Sequence, residues 1–302
     1  MFPGQGSQFV GMGKFLYENN DSIKSYFKKA NDILGYDIVD IILNGPEEEL
    51  KKTKNTQPAI FLINAVFLHV AREKGINPDF ALGHSLGEYS ALYCAGAITF
   101  EDGINLVSER GKLMEKAAEN GIGAMAAIIS LDREKLELIC KELSTTHEIV
   151  EVANINSPEQ IVISGHKTKV EEAVNKAKEA KAKRAILLDV SGTFHSSLME
   201  PAKNKFKKIV NSIKFNDLYI PVITNVEARL IVSGSEAKEL LIEQLTKSVE
   251  WVDSIKKMVN NSVNIFYEIG PGKVLSGLVK RINSEVKVFN FYDIINDKSV
   301  VL

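Results

Sequence analysis

A serine hydroxyl is a poor nucleophile at neutral pH until a base takes its proton, so the serines that matter are those a fold presents beside one. In the stretch DFALGHSLGEYSAL, Gly83, His84, Ser85, Leu86 and Gly87 spell G-x-S-x-G, the pattern of a nucleophile elbow. A short apolar run precedes it and a helix-forming run follows. That strand–turn–helix context exposes the Ser85 hydroxyl and aims the N–H of Leu86 at the place where an oxyanion would form. The chemistry on offer is acyl transfer through a serine ester, to water or to another nucleophile.

Five histidines are available as the base. His69 falls within an apolar helix, His147 and His166 in polar turns, and His84 adjoins the serine, so that its side chain projects away from Ser85. His195, in LLDVSGTFHSSLMEP, follows a strand, lies in a loop and precedes a helix; it is the favoured base. Asp189 is the nearest acid that could orient it, but it sits on the preceding strand. With no acid in an obvious third position, a backbone carbonyl is the alternative acceptor for the His195 Nδ1–H.

Other chemistries find little footing. GPGKV at 270–274 suggests a phosphate loop, but Tyr267 stands where G-x-x-x-x-G-K needs its first glycine. GQGSQF and GMGKFL each lack the third glycine of a dinucleotide fingerprint. Cys94 and Cys140 are far apart without metal-ligand spacing, which reads as a reducing compartment. No metal and no nucleotide cofactor is expected. A net charge of -2 without a basic block argues against a nucleic-acid partner. With no leader-like start and no apolar run of spanning length, the expectation is a cytoplasmic protein without a membrane partner.

The 302 residues suffice for one large domain, or one large and one small. Around the elbow, Gln57–Gly75 reads as a mostly apolar helix, PDFALGHS as the entering strand and LGEYSALYCAGA as the leaving helix. TFEDGINLVSERGKLMEKAAE reads as an amphipathic helix on Ile104, Val107, Leu113 and Met114. From Gly123 the order becomes β-α-β-β-α-β, the split βαβ or ferredoxin-like arrangement. After it come a strand at LYIPVITNV, mostly helix over 235–259, a strand at VNIFYEIG and a closing helix at GKVLSGLVKRI. The fold class is therefore α/β: a core with a mainly parallel sheet over 1–122 and 198–302, carrying an inserted small subdomain over 123–197.

FPGQGSQFVGMG, GHSLGEYSAL, ERGKLM, GAMAAI, GTFHSSLM and EIGPGKVLSGLVKRI occur in the order found in malonyl-CoA:acyl carrier protein transacylases, and the chain resembles that family over essentially its whole length. The resemblance implies an α/β-hydrolase-like core with an inserted ferredoxin-like subdomain. It implies Ser85 as nucleophile, His195 as base, the main-chain carbonyl of Gln244 as the group orienting the histidine, and the N–H groups of Gln5 and Leu86 as the oxyanion hole. Arg110, which by itself reads as a residue of an amphipathic helix, matches the arginine that pairs with the free malonyl carboxylate. A guanidinium holds such a carboxylate through two parallel hydrogen bonds, which makes acetyl a poor substrate. Phe194 and Leu86 match positions that go with malonyl rather than branched acyl groups. One departure stands out: only Met1 and Phe2 precede Pro3, where family members usually carry several apolar residues, so either the start is placed late or the strand delivering the Gln5 loop is very short.

What the resemblance implies is a malonyl transferase acting by a ping-pong route between malonyl-CoA and the acyl carrier protein thiol, a monomer without cofactor, in fatty acid synthesis. A discrete polyketide synthase acyltransferase, a serine esterase and a non-catalytic carrier-protein-binding module are the rivals. Lys181, Lys183 and Arg184 before His195, and Lys203, Lys205, Lys207 and Lys208 after it, are the candidate basic surface for an acidic carrier protein.

Overall fold

The computed structural model describes residues 1–119, 121–189 and 192–296, and the chain is a mixed α/β protein. The segment from Gly123 follows the expected order. Strands β1 (Gly123–Ile129), β2 (Val150–Ser157), β3 (Gln160–His166) and β4 (Arg184–Leu187) pair antiparallel in the order β2-β3-β1-β4. A fourth strand is expected over KRAILLDVS, 183–191; β4 ends at Leu187, and Val190 and Ser191 lie outside the described residues.

Period-2 alternation gives this sheet two apolar faces. Ala126 and Ile128 pack with Leu136, Ile139, Val170 and Val174 of the helices Arg133–Leu143 and Lys167–Glu179. Met125 and Ala127 point the other way and pack with Met114, Phe194 and Met199. The second face therefore carries the sheet onto the segment that bears His195.

In the rest of the chain, β5 (Val222–Ile223) pairs antiparallel with β6 (Leu230–Ile231), and β7 (Ile265–Glu268) pairs parallel with β8 (Lys287–Asn290). Parallel bridges join Ala81 to Val222 and Phe2 to Gly83. The Met1 ammonium donates to Tyr267 O at 2.8 Å, and Ile269 N donates to Met1 O at 2.9 Å. The segments thus lie side by side in the order β5, 81–83, 1–2, β7, β8. The parallel sheet expected from the alternation of elements is present as these short contacts, and the largest sheet among the described residues is the antiparallel one. The strand expected over LYIPVITNV shrinks to two residues; Pro221 has no N–H to contribute to a ladder.

The apolar helix starts earlier than its sequence pattern suggested, at Thr53, and runs to Glu73 with nearly every side chain buried. The helix expected over 235–259 is two helices, Gly234–Glu243 and Trp251–Asn260, and the break at 244–250 carries Gln244. No helix among the described residues is long and apolar enough to cross a membrane.

Candidate active site

The elbow forms because the chain packs too tightly around it for any side chain at its glycines. A Cβ on Gly83 would lie 2.0 Å from Gly87 C, and one on Gly87 would lie 2.1 Å from Phe2 O. Between them Ser85 takes φ 50°, a strained value for a non-glycine residue. Asn225 holds it there. Its Oδ1 accepts from Ser85 N (2.6 Å), and its Nδ2 donates to Gly83 O (2.7 Å). The helix Gly87–Cys94 leaves the turn directly.

His195 reaches the serine from 110 residues away, also at a positive φ of 57°. Ser85 Oγ lies 2.7 Å from His195 Nε2, and His195 Nδ1 lies 2.8 Å from Gln244 O. A carbonyl can only accept, so Nδ1 carries the hydrogen and Nε2 is free to take the serine proton. Burial, and then the charge of Arg110, push the His195 pKa down to about 3, which keeps the ring neutral at physiological pH. Asp189, the nearest acid in sequence, is exposed and has no part in this chain of bonds.

Arg110 is buried beside the serine rather than on the surface of its helix, Phe100–Ala118. Gly111 permits this: a Cβ there would lie 2.8 Å from Thr53 O, so the helix sits directly against the start of Thr53–Glu73. The guanidinium donates from Nη1 to Gln57 Oε1 (2.9 Å), and from Nη2 to Gln244 Oε1 (2.9 Å) and Ser85 Oγ (3.2 Å). Its Nε is buried without a hydrogen-bond partner among the described residues. Its Cζ stands 5.4 Å from the centre of the Tyr89 ring. A substrate carboxylate beside Ser85 would meet a cation held by neutral amide oxygens.

The loop Pro3–Ser7 lies on the elbow. A Cβ on Gly4 would be 2.3 Å from His84 O and 3.6 Å from Leu86 N. Asn64 Nδ2 fastens this loop by donating to Pro3 O at 3.1 Å, and Ser7 Oγ closes it onto Gly4 O at 2.7 Å. Neither the Gln5 N–H nor the Leu86 N–H donates a hydrogen bond among the described residues. Both amides are therefore unspent, and that of Leu86 stands at a helix N-terminus, the kind of donor that stabilises a developing oxyanion.

The remaining sequence candidates fall into structural places. His84 turns away from the serine, and its Nε2 lies 2.8 Å from Asn156 Oδ1 of β2. His69 lies 3.2 Å from both Ser22 Oγ and Glu73. His166 Nδ1 accepts from Ile149 N. Phe194 is buried between Met114, Met125 and Met199. Lys203 is ion-paired with Glu243 at 2.8 Å, so it is not a free member of the basic set; Lys205, Lys207 and Lys208 are exposed. The GPG motif lies against the Pro3 loop, where a Cβ on Gly270 would be 2.1 Å from Asn64 Oδ1.

Sequence reasoning missed three side chains of the site: Gln57, Glu88 and Asn225. Glu88 is fully enclosed; its Oε2 accepts from Gln244 Nε2 (2.5 Å) and from Asn225 N (3.3 Å). Burial pushes its pKa up to about 7.

The acyl transferase domain family matches residues 1–295 of the chain. The malonyl CoA-acyl carrier protein transacylase of Bacillus subtilis is 47% identical over 293 residues, covering 97% of this chain and 92% of its own. Among solved structures, an acyl carrier protein S-malonyltransferase from Vibrio cholerae superposes with a TM-score of 0.93 at 42% identity, covering 96% of this chain and 94% of that one. A malonyl-transacylase solved in complex with a type II PKS acyl-carrier protein gives 0.92 at 43% identity, with 96% and 94% covered. The chain belongs to the acyl transferase domain family, among its malonyl CoA-acyl carrier protein transacylases.

Proposed function

We propose that this protein moves a malonyl group from malonyl-CoA to the phosphopantetheine thiol of acyl carrier protein, through an ester on Ser85, for fatty acid synthesis. The observation that carries the reading is the line Gln244 O, His195, Ser85 Oγ with Arg110 Nη2 3.2 Å from the same oxygen, in a chain of this family.

In the first half-reaction His195 Nε2 takes the Ser85 proton as Oγ bonds to the thioester carbon. The carbonyl pair moves onto oxygen, where the Gln5 and Leu86 amides receive it. Collapse breaks the C–S bond, and His195 returns the proton to the departing CoA sulfur. The second half-reaction runs the same steps backward, with the carrier thiol giving its proton to His195. Arg110 binds the malonyl carboxylate and holds the acyl chain across the serine.

The same reading takes residues 123–197 as a ferredoxin-like subdomain inserted in an α/β-hydrolase-like core of 1–122 and 198–302. Phe194 shapes the acyl pocket, no cofactor takes part, and the protein works as a cytoplasmic monomer. Service to a polyketide carrier is the second reading, favoured by the relative solved with such a carrier. The test is intact mass after mixing with malonyl-CoA: a malonyl increment on the native protein and none on Ser85→Ala. Rapid release of malonate to water without a thiol acceptor would point to an esterase instead.

A further inference from the structure

Glu88 is a buried carboxyl that the transfer steps above do not use. Its Oε2 accepts from the neutral donors Gln244 Nε2 and Asn225 N, and Arg110 donates to Gln57, Gln244 and Ser85 rather than to a carboxylate. The two are joined at one remove. Gln244 donates from Nε2 to Glu88 Oε2 at 2.5 Å, and its Oε1 accepts from Arg110 Nη2 at 2.9 Å. The opposite amide orientation would set oxygen against carboxylate and N–H₂ against guanidinium. Glu88 and Arg110 therefore fix the Gln244 side chain between them, while the main-chain carbonyl of the same residue orients His195 at 2.8 Å.

A buried guanidinium calls for one counter-charge. In the free protein the carboxylate coupled to it is Glu88. The malonyl carboxylate of our proposed reaction, on which this inference rests, binds the same cation. Two carboxylates around one buried cation leave an excess negative charge, and that raises the pKa of one of them. Glu88 accepts only from neutral N–H donors, whereas the malonyl group contacts the guanidinium itself. Glu88 is thus the one to be neutralised.

We propose that Glu88 is the resident counter-ion of Arg110, held through the Gln244 amide, and that it takes a proton from solvent when the substrate carboxylate replaces it. One O–H bond forms, with a proton drawn from water; it is given back when malonyl departs on the carrier thiol. Glu88 is a positioning residue here, not a catalytic one.

The other titratable groups around it stay fixed across neutral pH. Tyr89, on the same helix, has its phenol pushed up by burial. His195, from its loop, is held neutral, and His84, in the elbow, is pushed down by burial. Arg110, from Phe100–Ala118, stays charged; Gln244 and Asn225 do not titrate. The pKa of Glu88, already raised to about 7 by burial, puts its own titration where a modest added charge decides it.

The experiment measures KM for malonyl-CoA and acetyl-CoA from pH 6 to 9 for the native protein and Glu88→Gln. Proton uptake on loading Ser85 is read with an indicator dye in weak buffer. The native KM for malonyl-CoA should rise roughly tenfold from pH 6 to 9, the change that a one-unit rise of the Glu88 pKa on substrate binding produces. The acetyl-CoA value should stay flat. Glu88→Gln should hold the low-pH malonyl value throughout, and loading should take up protons near pH 7.5 in the native protein only. A malonyl adduct that forms with no pH dependence in KM and no proton uptake overturns the counter-ion role alone. The uptake measurement on the native protein decides this even if Glu88→Gln does not fold. No adduct at any pH overturns the transfer reading, and this inference with it.

Discussion

Replacing Arg110 by alanine tests the proposed site most severely, because on our reading the same guanidinium binds the substrate and weakens the base. Its Nη atoms hold Gln57 Oε1 and Gln244 Oε1 at 2.9 Å and reach Ser85 Oγ at 3.2 Å. The malonyl carboxylate therefore loses a charge-assisted, desolvated partner, a loss of about 2–4 kcal/mol or roughly 30- to 1,000-fold in kcat/KM. Acetyl has no carboxylate to lose. Removing the positive charge also relieves the second cause of the low His195 pKa, so the base should strengthen and acetyl transfer should hold or improve. The assay is kcat/KM for malonyl-CoA and acetyl-CoA against pH, for the native protein, Arg110→Ala and Arg110→Lys. The lysine variant keeps the charge but not the planar fork, and should fall between the other two for malonyl. Equal losses for the two acyl groups would refute the reasoning, and would make Arg110 a structural link between Gln57 and Gln244.

Ser85→Ala should form no acyl adduct, and His195→Ala should lose about a thousandfold or more in transfer while still binding CoA thioesters; intact mass and equilibrium binding read the two effects. Asn225→Ala leaves Ser85 N and Gly83 O without their partner, which should cost about 1–3 kcal/mol in urea unfolding and slow Ser85 loading; unchanged loading would show that the turn holds its strain alone. Glu88 has a folded pKa raised to about 7 from 4.5, so the folded state binds more protons between those values, and its contribution falls as pH rises through them. Glu88→Gln should therefore gain up to roughly 3 kcal/mol relative to the native protein between pH 5 and pH 8, and a constant difference in unfolding free energy would argue against the shift. Charge reversal at Lys205, Lys207 and Lys208, which are exposed, should weaken the carrier-protein half-reaction and flatten its salt dependence more than it affects malonyl-CoA loading; indifference to both places docking elsewhere.

How far each part could be read from the sequence depends on whether its cause is local. The elbow was legible because its pattern falls within five residues, and the clash that demands Gly83 is with Gly87 itself, although that at Gly87 comes from Phe2 and Pro3 far away in the chain. The β-α-β-β-α-β segment was legible because each of its elements is long enough to show a period. The parallel sheet was expected from alternation alone, and its pieces are too short for any period: single bridges at Phe2, Ala81 and Gly83, and two residues at β5. Met1 and Phe2, just ahead of the Gln5 loop, are bonded on one side to Leu82 and on the other to Tyr267 and Ile269.

The site shows the same division. Arg110 carried a signal that the helix reading passed over. It follows Val107 by three residues and precedes Met114 by four, which puts a charge on the buried stripe, and a buried charge needs a reason. Gln244 acts on His195 through a main-chain carbonyl that any residue possesses, so no residue type can announce it; its side chain earns its identity by standing between Glu88 and Arg110. Asn225 reaches Ser85 across 140 residues, and Gln57 reaches Arg110 across 53. Such contacts leave no spacing to find. They are legible only when the fold brings the chain together, which is why the elbow could be read from five residues and the side chains that support it could not.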